Sequence, residues 1–294
     1  MNEFFNSYIL NFPSAWQFRP SNTLDNAVKA FSRDHQTTLK AIKQVVIAGI
    51  GGIRRLLLAT PWILLVLIVV VLAWRLTKKP MVSLLYGGML IFIGSCGFWS
   101  HMIESLSLVI VSVILCILLG FPLGVLLAMS SRAGRLLRPV LDTMQTMPSW
   151  VYLVPAVILF YTGLTPALLA TMIYAIVPMV RLTSHGLLYV DAEMIEAAKA
   201  FGSTKLQTLV KVQIPQAMPT IMAGVNQTIM MAMSMVVTCA LIGANGLGME
   251  ILLAVNRVEM SKALFPGICI VIVAVILDRL TQALVKKSEV GQDG

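Results

Sequence analysis

Seven stretches of this chain run for about the length of a membrane-crossing helix with hardly a charge inside them. They are residues 57–74, 81–99, 102–129, 148–163, 166–184, 217–242 and 263–285. Roughly 20 apolar residues in helical form cross the hydrocarbon of a bilayer, and a helix satisfies its own backbone polar groups there. The expected fold is therefore all-α and membrane-spanning. Only 12% of the 294 residues are charged and 58% are apolar, whereas a soluble domain carries about 25% charged residues. The fourth and fifth stretches are short and share a turn at Gly163–Pro166. Trp62, Trp74, Trp99 and Trp150 fall near stretch ends, as interfacial anchors do.

The net charge of +9 is not gathered on one nucleic-acid-binding face. It sits in short clusters: Arg75, Lys78 and Lys79; Arg132, Arg135 and Arg138; Arg181, Lys199, Lys205 and Lys211; Lys286 and Lys287. With seven spans, all four clusters fall on one side, and the loops near His101, Gly163 and 245–262 fall on the other. The excess of Lys and Arg assigns the basic side to the cytoplasm. That orientation puts the C-terminus inside and the N-terminus outside, although the tail's own Arg19, Lys29, Arg33, Lys40, Lys43, Arg54 and Arg55 point the other way. Residues 1–38 show no period and read as a tail. Residues 39–58 carry Ile42, Val45, Val46, Gly49 and Ile53 at helical spacing with basic ends. They read either as an amphipathic interfacial helix, whose Lys40, Lys43, Arg54 and Arg55 would sense lipid charge, or as the basic flank of the next span. No basic-then-apolar signal peptide opens the chain. Cys96, Cys116, Cys239 and Cys269 lie inside apolar runs without metal or redox spacing.

One polar segment, Asp191–Pro215, interrupts the second half. Asp191 is placed to cap a helix over 192–201, and Gly202 to stop it. Thr204 and Gln207 are spaced as a capping box for a second helix, which Pro215 is expected to end. Such a segment lies outside the bilayer and presents a surface. Glu196-Ala197-Ala198, three residues, Gly202, nine residues, then Val212-Gln213-Ile214-Pro215 resembles the EAA loop of ABC importer permeases. Val212 and Ile214 stand where that pattern favours Ile and Leu. The segments 138–160, 217–237 and 276–284 extend the resemblance, over about residues 99–285, to permease subunits of glycine betaine/proline betaine importers.

The resemblance implies a five-helix type I importer core over 101–285, with the coupling loop at 190–215. Two peripheral helices over 57–100 precede it, with tails at 1–56 and 286–294. It implies a bacterial inner-membrane homodimer with two cytoplasmic ATPase subunits and a periplasmic or tethered binding protein. Glu196, Ala197, Ala198, Gly202 and Pro215 would belong to the ATPase-docking element. ATP and Mg would be held by the ATPase. Closure of the ATPases would push the loops together and open the cavity outward.

The residues themselves offer no phosphate-binding Gly-Lys-Ser/Thr loop, no catalytic set, and three scattered histidines, so no cofactor or metal site is expected here. Asn226, Met230, Met233, Ser234 and Val237 share one helical face and are expected to line the translocation path. The alternative for that face is helix packing, with the amide bonding across an interface. Trp150, Tyr152, Phe160, Tyr161 and Tyr174 are too dispersed for a quaternary-ammonium cage. Gly120, Pro122 and Gly124 permit close helix approach. Residues 243–248 read as a plain turn or a contact for the binding protein, and Asp278 with Arg279 as a local pair. The competing function is an ATPase-independent secondary transporter or channel for small zwitterions, which would show internal repeats or intramembrane ionisable partners. A membrane enzyme finds no clustered acid, base or ligand set.

Overall fold

The computed structural model describes residues 21–290, with side-chain surroundings for 26–284; the first twenty and last four residues, a part of each expected tail, lie outside the described residues. Among the described residues all regular structure is helical. The chain divides into two units, Met1–Ile42 and Lys43–Gly294. In the first, α1 (Ser21–Asp34) forms where the sequence shows no clear period. His35 stacks on Phe31 at a ring separation of 4.4 Å, a contact between residues four apart.

The expected helix over 39–58 is α2 (Gln36–Ala59). Within the second unit, Val46 and Ile50 are its buried residues, packed in a cluster with Leu108, Tyr152 and Leu168. Val45 stays exposed, so the buried face is narrower than the sequence suggests. Arg54 Nη2 lies 2.6 Å from Glu104 Oε1, so this cation is paired within the protein instead of facing lipid headgroups. After α2 the chain bends by 95° into α3 (Trp62–Thr77).

Among the described residues four helices are long and apolar enough to cross a membrane: α5 (Trp99–Met129), α8 (Leu164–Leu188), the run Lys205–Ala240, and α13 (Met260–Val290) over its stretch to Leu284. There are up to six spans if each bent helix pair counts as one. The seven expected stretches therefore do not all become straight spans. α3 and α4 (Pro80–Ser95) have 16 residues each, about 24 Å at 1.5 Å per residue, short of the ~30 Å hydrocarbon. The stretch 148–163 is a 3₁₀ turn, Ser149–Tyr152, followed by the eight-residue α7 (Leu153–Phe160). It follows α6 (Ser131–Thr146) through a bend of 114°. Pro148 at this junction removes a backbone donor and steers Met147 to an extended conformation, φ −71° and ψ 133°. Arg132, Arg135 and Arg138 are carried by α6, not by a loop.

The core is built where small residues let helices touch. Gly120 and Gly124 of α5 face α8. A Cβ on Gly124 would stand 2.5 Å from Thr183 Cβ and 2.8 Å from the Val180 carbonyl oxygen. Neither atom is a flexible tip, so the space cannot be recovered by a rotamer change. Replacing Gly124 with Leu is expected to destabilise the bundle by at least the ~1–3 kcal/mol typical of overpacking, read as a lower thermal midpoint of the purified chain in detergent. α8 then packs on α11 (Ile214–Ala240), where Gly224 lies against Leu182 and the Pro178 carbonyl.

The 243–248 turn is part of this core. The Leu247 N–H donates to Ser105 Oγ at 2.9 Å. A Cβ on Gly246, whose φ is +126°, would meet that same oxygen at 2.3 Å. The turn leads into α12 (Leu247–Asn256), a helix within the expected loop 245–262. Gly246, Leu247 and Gly248 are buried, while Gly243 and Asn245 are exposed.

Candidate coupling surface and transport path

The local signals between Asp191 and Gln207 are all realised. The Asp191 carboxylate accepts from the Glu193 N–H at 3.0 Å and caps α9 (Ala192–Ala200). At its end the Gly202 N–H donates to the Lys199 carbonyl at 2.9 Å and the Ser203 N–H to the Ala198 carbonyl at 3.1 Å. This pair of bonds closes the helix with Gly202 at φ +78°. Thr204 and Gln207 form the reciprocal capping box ahead of α10 (Lys205–Thr208).

Pro215 does not end the second helix. A π turn at Leu209–Gln213 widens the backbone, and the Ile214 N–H bonds to Leu209, five residues back. The wider turn makes room for the Pro215 ring next to the carbonyls behind it, so the helix runs on as α11. The continuous piece Lys205–Ala240 has 36 residues, about 54 Å. This exceeds the ~30 Å hydrocarbon, so one continuous helix is long enough to carry both the loop's second helix and a full span.

The loop is anchored by Leu209, Ile221 and Ala217 against Met179 and Leu187. The rest projects. Glu196, Ala197 and Gly202 are exposed, Ala198 and Pro215 half-buried. Glu196 makes no ion pair among the described residues. Between them stand large apolar side chains: Phe201 is 92% exposed, with Leu206, Val210 and Met194 also open. Exposed apolar side chains gathered in this way are characteristic of contact surfaces.

The expected path residues separate. Asn226 Nδ2 donates to Asp278 Oδ1 of α13 at 2.7 Å, and Gln282 Nε2 donates to both Asp278 oxygens at 2.8 and 2.9 Å. Asn226 is thus engaged in interhelical bonding, and Arg279 reaches Asp278 only at 3.9 Å. Met233 is 2% exposed inside the core. Met230, Ser234 and Val237 remain open and join Ala223 and Gln227 in one stripe of α11, continued by Leu241 just past its end. Interhelical hydrogen bonds in membranes average about 0.6 kcal/mol and reach about 1.7 kcal/mol. Asn226→Leu should therefore cost stability in that range, visible as a small downward shift in unfolding midpoint.

Near the loop-bearing end of α8 a cavity of about 690 Å³ opens between α6, α8 and α11, and Gln227 lines it. Arg181, a member of the basic clusters though inside the stretch 166–184, stands inside α8 on this wall. Its Nη1 is 3.3 Å from Asp142 Oδ1, and it also donates to Gln145 Oε1.

Residues 120–290 match the model of the family described as binding-protein-dependent transport system inner membrane component. The chain belongs to that family. This permease is 46% identical over 240 residues to the glycine betaine/proline betaine transport system permease protein ProW of Escherichia coli (strain K12), covering 81% of this chain and 67% of the relative. It is 43% identical over 263 residues to the glycine betaine/carnitine transport permease protein GbuB of Listeria monocytogenes, with coverages of 87% and 93%. It is 42% identical over 254 residues to the glycine betaine transport system permease protein OpuAB of Bacillus subtilis, with coverages of 86% and 87%. In fold it is similar to a chain of the MetNI methionine ABC transporter in inward-facing conformations. The TM-score is 0.59 at 21% identity, covering 63% of this chain and 93% of that one. An all-helical membrane fold with an importer-permease core is what the sequence predicts and what the permease has.

Phe201, Gln227 and Arg181 stand on these surfaces but are not among the site residues the sequence points to. Phe201 had a signal: an aromatic between Lys199 and Lys205, next to a helix-stop glycine and outside any apolar run, has no core to enter. Gln227 had none, since Asn226 beside it is equally polar.

Proposed function

We propose that this permease is the membrane-spanning subunit of an ATP-driven importer for glycine betaine, proline betaine or a related quaternary-ammonium osmolyte. The observation that carries this reading is the unbroken helix from Lys205 to Ala240. It joins an exposed docking loop to the stripe Gln227–Met230–Ser234–Val237, so force on the loop moves the stripe without an intervening hinge. The substrate class rests on the relatives, several of whose names specify glycine betaine.

Two copies of the permease form the pathway. Two cytoplasmic ATPases, which hold ATP and Mg, dock on Glu196, Ala197, Ala198, Phe201 and Gly202, with Pro215 at the root of the rod. A periplasmic or tethered binding protein delivers substrate from the opposite face. The chain lies in the bacterial cytoplasmic membrane. Its basic clusters, including the loop at 190–215 and the C-terminus, face the cytoplasm, and the N-terminal tail lies outside. ATPase closure brings the two loops together and turns the α8–α11 pair, exposing the cavity alternately to the two sides.

The test is reconstitution in vesicles. Glycine betaine should accumulate only with the ATPase, the binding protein and ATP present. Accumulation by the permease alone would refute the reading.

A further inference from the structure

We propose that the cavity between α6, α8 and α11 holds a low-affinity transit site for a zwitterion, in which Arg181 takes the substrate carboxylate while Asp142 and the Tyr189 ring take its ammonium group. This rests on the importer reading above and adds to it a substrate-contacting site inside the permease.

The cavity brings two opposite charges to one wall. The Arg181 guanidinium lies 3.3 Å from the Asp142 carboxylate, and Gln145 accepts from the same guanidinium. The Arg181 and Asp142 side chains are 46% and 62% exposed, so the pair faces the opening and is not sealed in the core. The rings of His185 and Tyr189 lie 4.3 Å apart beside it, and Gln227 closes the side toward the α11 stripe. A volume of about 690 Å³ leaves room for a small osmolyte and water.

The chemistry selects the ligand. Arg presents a planar fork that matches a carboxylate with two parallel hydrogen bonds. A quaternary ammonium cannot donate such bonds and is held by opposite charge and aromatic faces. A net cation would meet Arg181 and Arg138, and a simple anion that drew Arg181 away would leave the Asp142 carboxylate without its partner. A molecule carrying both charges meets neither penalty. It exchanges one ion pair for two and leaves the net charge of the wall unchanged. A half-exposed ion pair is weakly held, so the exchange is easily reversed. Reversibility is what a transit site requires, because substrate must leave again.

The cavity is also placed to respond to the coupling loop. Arg181, His185 and Tyr189 lie on the last turns before Asp191, and Gln227 lies on the rod that begins at Lys205. Displacing the loop moves both walls, and with them the fork and the ring.

The experiment uses the full chain in lipid nanodiscs, where both faces are accessible and no ATPase is needed. Leu188, on the cavity wall, is changed to Cys. Modification of the introduced thiol by a small neutral maleimide is timed against the unsubstituted chain, which supplies the background of the four native cysteines. Glycine betaine at tens of millimolar should slow labelling at least threefold relative to sucrose of equal osmolality. Choline, which lacks the carboxylate, and acetate, which lacks the ammonium, should not. The protection should vanish when Arg181→Gln is combined with Leu188→Cys. Equal labelling with and without betaine, or equal protection by choline or acetate, overturns the site.

A purely structural role for the ion pair is separated by uptake in the reconstituted importer. Removing both charges, Arg181→Gln with Asp142→Asn, leaves no unpaired charge. Uptake should still stay at least tenfold below the parent at limiting substrate, and recovery to the parental rate overturns the proposal. Should uptake prove independent of ATP while betaine still protects the introduced thiol of Leu188→Cys, the importer reading fails and the site stands.

Discussion

Phe201→Asp is expected to leave the permease inserted in the membrane and to end ATP-driven uptake. The side chain is 92% exposed, so the bundle does not depend on it. Its backbone already sits at φ −79° and ψ 10°, which aspartate adopts without strain. In a docked complex a buried Phe contributes about 1.5–3 kcal/mol. At 1.4 kcal/mol per tenfold, its loss weakens each contact by roughly 10- to 100-fold. Aspartate adds the cost of placing a charge in an apolar contact. Two copies dock at once, so the losses compound and uptake should fall more than 100-fold. Co-purification of the ATPase should fall with it. Val258→Asp is the control: Val258 is 89% exposed but lies between α12 and α13, away from the loop. Its φ of +58° suits aspartate better than a β-branched residue. Equal losses in the two variants would remove Phe201 from the docking surface. Gly202→Val should act in the same direction more weakly, because φ +78° costs a side chain about 1–2 kcal/mol.

The loop was legible because each of its signals is local. Asp191, Gly202, Thr204 and Gln207 act on backbone groups within a few residues, and every one of those bonds forms. The span count was less legible. Length and hydropathy do not register a bend, and Pro148 turns the expected fourth span into a 3₁₀ turn and two turns of helix. Pro215 misleads in the opposite sense, since a π turn restores a helix that the residue type alone would stop. For the residues expected along a path, the sequence marks the helix but not which of its faces stays open. Asn226 and Gln227 are neighbours about 100° apart on α11, and what separates them is Asp278, which bonds Asn226 from 52 positions along the chain. Arg181 falls inside the fifth stretch, 166–184, three residues from its end, so its charge alone groups it with the loop cations. The Asp142 and Gln145 side chains across the cavity nevertheless keep it within the bundle.

The second large effect concerns the rod. Replacing Val212 and Gln213 by glycine should leave docking intact and disconnect it from transport. Both residues lie in the π turn Leu209–Gln213, where the backbone already departs from α geometry before continuing as α11. Each glycine inside a helix costs about 0.8–1.0 kcal/mol relative to alanine, because it restores freedom to the unfolded chain and removes side-chain packing. Two together at an already widened turn make that turn the softest point between Lys205 and Ala240. The docking residues from Met194 to Leu206 keep their own caps and exposures, so the ATPase should still bind and still hydrolyse ATP. The push on α9 and α10 would then be absorbed by bending at 212–213 and would not rotate the Gln227–Val237 stripe. Betaine uptake per ATP hydrolysed should drop at least tenfold with little change in ATPase co-purification. Alanine at the same two positions, which keeps the helix stiff, should restore most of the coupling. If the glycine and alanine variants transport equally well, the rod is not what carries motion from the loop to the path.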